Sequence, residues 1–181
     1  MLTSLSKISF HEDDYRQVEL LPENYIFLVS AQLENINNKT EDSIIDLGYT
    51  EAYSRKLPKN PLLSENIKLK DIEIILNQYA LYSFNKVESG YGSQMNVKTN
   101  IVAYGFENYI IFFEYFDDLI GSSWITYSLS FNTEKSYPTR LLDFLSALAD
   151  RYKIVLVDWN QEVAVKPKSY SQLQSYIDLT H

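Results

Sequence analysis

Two rhythms of apolar and polar residues run along this chain, and the change from one to the other marks its elements. Over residues 123–131 the period is two. Ile125, Tyr127, Leu129 and Phe131 fall on one side, and Trp124, Thr126, Ser128 and Ser130 on the other, which is the pattern of a strand. Tyr109–Phe116 is apolar at every position except Glu114, as expected of a central strand covered on both faces. Residues 99–104 make a third strand. Turns at 105–108 and 117–122 join the three into an antiparallel meander.

The longer rhythm of helices surrounds this meander. Leu141, Leu145, Leu148 and Tyr152 form a stripe, with Leu142 and Ala149 beside it, and predict a helix over 138–152 that starts at Pro138. Strand 153–159 follows, with 162–165 pairing beside it. Ser169 then caps a last helix carrying Leu173 and Ile177. Near the start, Ile8–Phe10 and 15–21 read as two short strands around a polar turn at His11, Glu12, Asp13 and Asp14. A helix begins at Pro22 and Glu23, carries Ile26, Val29, Leu33 and Ile36, and ends at Asn37 and Asn38. A shorter helix is expected over 40–53, interrupted at Gly48. Pro58 and Pro61 make 55–61 a loop. Residues 67–84 fit two patterns. A helix capped by Asp71 accounts for Ile72, Ile75, Leu76 and Tyr79 better than alternating strands do. Residues 88–96 read as a loop. The sum is one α+β domain spanning 1–181, a mostly antiparallel sheet with a central meander and helices packed on one face.

Composition excludes several classes. The chain has 181 residues, 45% of them hydrophobic and 22% charged, ordinary values for a globular protein able to bury a core. Without cysteine there are no disulfides, thiol nucleophiles or thiolate metal sites, which suits a reducing cytoplasm. No apolar run is long enough for a signal peptide or a membrane span. The charge of −8 is uneven. Residues 1–51 carry −7 and 99–134 carry −5, while the remainder carries +4. The 99–134 stretch holds no lysine or arginine and ten of the twenty-six aromatic residues. An acidic, aromatic surface disfavours nucleic acid and anionic membrane and suits a basic protein partner.

Catalytic motifs are hard to find. His11 and His181 are the two imidazoles. His11 beside Glu12, Asp13 and Asp14 offers ligands for a divalent cation, but neighbours on one turn seldom converge, and a solvated turn accounts for them. Asp117 and Asp118 could split their pKa values as an acid/base pair, yet a turn after a strand favours Asp anyway. Gly90-Tyr91-Gly92 lacks the third glycine of a dinucleotide loop, and no serine sits in G-x-S-x-G. Arg55, Lys56, Lys59, Lys68 and Lys70, near Tyr53, Tyr79 and Tyr82, form a basic cluster that could touch RNA; the acidity of the whole opposes it. No catalytic, metal or cofactor residue is assigned.

The segments FHEDDYRQVELLP (10–22) and LLDFLSALADRYKIVLVDW (141–159) resemble parts of small bacterial proteins found with polymorphic toxins, and cover about a sixth of the chain. In size, acidity and want of catalytic residues the chain is similar to contact-dependent growth inhibition immunity proteins. The resemblance implies a cytosolic protein that binds and blocks one cognate toxin domain, often a nuclease. A nuclease needs a basic cleft, which carboxylates can occlude and aromatic anchors can seal. Glu12, Asp13, Asp14, Asp117 and Asp118 are the candidate contacts, with Tyr115 as the aromatic. The alternatives are a carboxylate-based or metal-dependent enzyme, and a structural or regulatory binding module.

Overall fold

The computed structural model describes residues 2–11, 15–45, 48–49, 55–91, 94–127 and 137–180. The meander is its centre. Strands β9 (Ile101–Gly105), β10 (Tyr109–Phe116) and β11 (Leu119–Tyr127) pair antiparallel, Phe112 facing both Ala103 and Trp124 across the ladder. Beyond β11 the sheet does not continue in chain order. Strand β3 (Val18–Pro22) inserts between β11 and β12 (Ile154–Asp158), and β13 (Val163–Val165) closes that edge. On the other side β6 (Tyr82–Phe84) pairs with β9, and β1 (Thr3–Leu5) adds in parallel, making eight strands among the described residues. A second sheet joins β2 (Ile8–Phe10) in parallel to β7 (Val87–Tyr91), which pairs antiparallel with β8 (Gln94–Lys98).

Three helices pack on one face of the large sheet. Helix α2 (Leu69–Tyr79), α3 (Thr139–Arg151) and α4 (Tyr170–Thr180) share a core with Leu20, Ile111, Phe113, Ile125 and Leu156. Helix α3 has no side-chain cap, and Leu141, Leu142, Phe144, Leu145 and Leu148 are buried. At about 2 kcal/mol per buried side chain, their burial outweighs the ~1 kcal/mol of a missing cap. The other face is divided. Helix α1 (Ile26–Ser43) covers Leu21, Val155 and Val157 through Val29 and Leu33. The small sheet covers Ile110, Phe112 and Trp124 through Phe10 and Val87. So three helices share one face, and α1 lies on the opposite one.

Several expectations change. The strands at 8–10 and 18–22 are not a hairpin, because β2 belongs to the small sheet and β3 to the large one. Pro22 ends β3, a 3-10 turn at Glu23–Tyr25 leads into α1, and α1 continues past Asn37 and Asn38. The second helix over 40–53 is absent from the described part of that stretch: α1 ends at Ser43, and β4 (Ile44–Ile45) pairs with β5 (Gly48–Tyr49). Asp71 lies in the first turn of α2, while the cap position is Lys68. The N–H of Leu69 is instead satisfied by the Asp118 carbonyl at 2.9 Å. The loop expected over 88–96 is the β7–β8 hairpin. Gly90 in it has φ +144, and a Cβ there would lie 2.0 Å from the Gln94 oxygen, so only glycine fits. Leu129 and Phe131 lie outside the described residues.

Two tyrosines tie helix and sheet together. Tyr104 donates to Glu73 at 3.4 Å, and its hydroxyl is pushed up to about 12 by burial and then by the Glu73 charge. Tyr176 donates to the buried Asp158 at 2.7 Å, and burial followed by that hydrogen bond raises it too. In the unfolded chain tyrosine ionises near 10. Above that pH the unfolded state sheds protons that the fold retains, so stability falls with pH. Urea midpoints are expected to drop as pH rises from about 10 toward 12, and Tyr104→Phe to lessen the drop. Equal slopes for the two proteins would contradict the assignment to Tyr104.

Candidate functional site

The sheet face beneath α1 and the small sheet carries two acidic side chains, Glu19 and Glu114. Register places them. Glu19 lies opposite both Trp124 and Val157, and Glu114 opposite Ser122, so all share that face. A charge on a buried face requires partners, and the two carboxylates find theirs differently.

Glu19 is 1% exposed. Arg16 Nε donates to its Oε2 at 2.7 Å, and Trp159 Nε1 to its Oε1 at 2.8 Å. An Arg55 nitrogen stands 3.8 Å from the same Oε1, and its guanidinium lies 5.3 Å from the centre of the Trp159 ring. Arg16 adopts φ 59, a conformation that costs a non-glycine residue free energy. It is held there by the bond to Glu19 and by one to the Lys59 carbonyl at 2.7 Å. Arg55 donates to the Arg16 carbonyl. The unit is a doubly neutralised carboxylate that clamps segment 55–60 onto the sheet. Arg55 is therefore spent inside the fold and does not belong to an exposed basic patch.

Glu114 has neutral partners. Ser122 Oγ donates to Oε2 at 3.0 Å, the Tyr15 hydroxyl to Oε2 at 3.4 Å, and Asn100 Nδ2 to Oε1 at 3.3 Å. In front of it opens a cleft of about 340 Å³ between the two sheets, lined by Phe10, Tyr15, Ser89, Lys98, Asn100 and Ile101. Burial, and then the Glu114 charge, raise the Tyr15 hydroxyl above its ordinary value, so it remains a protonated donor at neutral pH. The sequence signal for this site was the one polar residue in an otherwise apolar central strand. Its partners were not legible, because Tyr15 and Asn100 arrive from distant segments.

The residues singled out from sequence are placed as follows. Asp117 and Asp118 form the two-residue turn between β10 and β11, both at positive φ, 48 and 68, a conformation that Asp tolerates. Their side chains are exposed, and neither lines the cleft. Tyr115 is half-buried, packs on the helix-side core and donates to the Thr99 carbonyl at 3.1 Å. His11 is exposed and stands edge-on to Tyr91, ring centres 4.9 Å apart. Glu12, Asp13 and Asp14 lie outside the described residues. Among the described residues no three His, Asp or Glu side chains are grouped to hold a metal ion, and no helix is long and apolar enough to cross a membrane.

Glu19 and Glu114 are expected to respond differently to the same substitution. Glu19→Gln strands Arg16 without its counter-charge and should cost about 3 kcal/mol. Glu114→Gln keeps one acceptor oxygen and replaces the other by an NH2 group, toward which Asn100 or the hydroxyls can turn an acceptor, and should cost about 1 kcal/mol or less. Equal losses in chemical denaturation would refute this division. Comparison of the chain with protein-family models, with curated proteins and with solved structures finds no match.

Proposed function

We propose that this protein is a binding protein of the immunity type, acting in the cytosol to occlude a basic toxin domain with an acidic surface. One observation carries the reading. The meander holds Glu107, Glu114, Asp117 and Asp118 and no base. Among the described residues none of these four joins an ion pair, while the ion pairs described involve Glu19, Glu23 and Glu88. None of the four has a described cation at ion-pair distance, although Lys98 lines the cleft beside Glu114 and Lys68 bridges to Leu119 next to Asp118, so the field of these acids is only partly compensated. Such a field accelerates association with a basic partner.

The exposed turn is the part best presented to a partner. Asp117 and Asp118 stand at the tip of the β10–β11 hairpin, whose backbone is anchored by the Leu69–Asp118 bond and by a 2.8 Å bond from Ile120 to the Ile67 carbonyl. A charge on an anchored turn loses little conformational freedom on binding. An enzyme built on these carboxylates or on His11 would want them in a pocket; all three are exposed.

The test is whether a toxin domain is encoded beside this gene and whether the protein binds it; the lack of such a neighbour counts against the reading. Asp117→Asn with Asp118→Asn removes both charges and keeps residues that tolerate positive φ. The double variant should keep its fold and lower the association rate about 3–10-fold at low salt, the gap closing at high salt. An unchanged low-salt rate would remove the electrostatic part of the proposal. Failure of the unaltered protein to bind that toxin would overturn the immunity reading.

A further inference from the structure

We propose that the cleft in front of Glu114 is a binding site for one singly charged organic cation, a primary ammonium or a guanidinium. The inference needs no toxin and stands apart from the preceding reading.

The carboxylate itself is the first ground. Glu114 is half-buried, so part of its hydration is lost. Among the described residues it has three neutral donors and no cation at ion-pair distance. Two of the three bonds, at 3.3 and 3.4 Å, are longer than a well-formed hydrogen bond, which leaves acceptor capacity on both oxygens. Glu19, on the same face, shows what this fold does with a carboxylate it neutralises internally: it supplies two arginines. Glu114 receives none.

The walls of the cleft select the ligand. Phe10 and Ile101 offer apolar surface for methylene groups, while Ser89 and Asn100 offer polar contacts. An apolar wall with one charged end is the arrangement that takes an alkylammonium stem. A divalent metal fits poorly, since calcium takes six to eight oxygen ligands and this cleft has one carboxylate. Lys98 also lines the cleft and joins no ion pair among the described residues. Its charge weakens the binding of any cation and opposes a dication most, which favours a monocation over a diamine. The cation can arrive as a side chain of a protein partner or as a free small amine, and the chemistry at Glu114 is the same.

The test is an NMR titration of the full chain with n-butylammonium, N-ethylguanidinium and N-acetyl-lysine-N-methylamide, with sodium chloride as the ionic-strength control. The expected result is a saturable shift of the Asn100 side-chain amide that sodium chloride does not reproduce. Glu114→Gln should weaken it about tenfold or more. If the blocked lysine binds as well as n-butylammonium, the cleft admits a side chain carried on a protein backbone. If only the free amines bind, the occupant is a small molecule; both results support the site. No saturable shift, or an equal shift in a folded Glu114→Gln protein, overturns it. Should Glu114→Gln fail to fold, Lys98→Met decides: tighter binding of n-butylammonium, by several-fold, supports the proposal, and unchanged binding overturns it.

Discussion

The large sheet is covered on both faces, and this constraint governs the rest of the structure. Ile111 and Phe113 of β10 face three helices, and Ile110 and Phe112 face the small sheet. A strand in that position has no solvent side on which to place a charge. A charged side chain there needs partners, since an isolated buried charge costs several kcal/mol. The sheet face under α1 and the small sheet carries two carboxylates, Glu19 and Glu114, and the surrounding chain is arranged about them.

One residue pair shows how local backbone serves both. Tyr15 and Arg16 are neighbours in sequence, yet Tyr15 reaches Glu114 and Arg16 reaches Glu19. Between the two carboxylates stands Trp124, paired with Phe112 on one side and Glu19 on the other, with the Tyr15 ring 4.7 Å from it. The positive φ of Arg16 breaks the alternation of an extended strand just before β3 begins. The two side chains therefore serve two sites rather than the two faces of one strand. The free energy that this conformation costs is offset by the bonds that the guanidinium makes.

What could be read from the sequence follows the same constraint. The meander, α3, β12 and α4 were legible because their burial imposes a period, of two or of about 3.6, on neighbouring residues. Glu114 was legible as an exception to that period. The hairpin at β7–β8 was not, because Gly90 and its neighbours look like a loop until a partner strand explains the φ of +144. The placement of β3 was hidden as well. Its neighbours β11 and β12 begin at Leu119 and Ile154, far from Val18 in the chain, and long-range pairing leaves no mark on local spacing. The start of α2 looked like an Asp71 cap because side-chain caps are read from nearby residues, whereas the acceptor that serves Leu69 is the Asp118 backbone on another element.

The last of these links the acidic turn to the fold. Asp117 and Asp118 occupy positive φ, and Asp118 also supplies the carbonyl that satisfies the first N–H of α2. Turn chemistry therefore accounts for Asp or Asn here but does not choose between them, since both tolerate the conformation. Asn would satisfy the same backbone without adding charge. Two carboxylates side by side repel one another, and the lysine that the fold brings near them is Lys68 of the neighbouring segment, bridged to Leu119, rather than a residue of the meander itself. The backbone explains the residue shape and leaves the choice of a charge over a neutral amide open. On the proposed function a basic surface would bring a counter-charge to that turn, and on the proposed ligand site a single organic cation would do the same at Glu114.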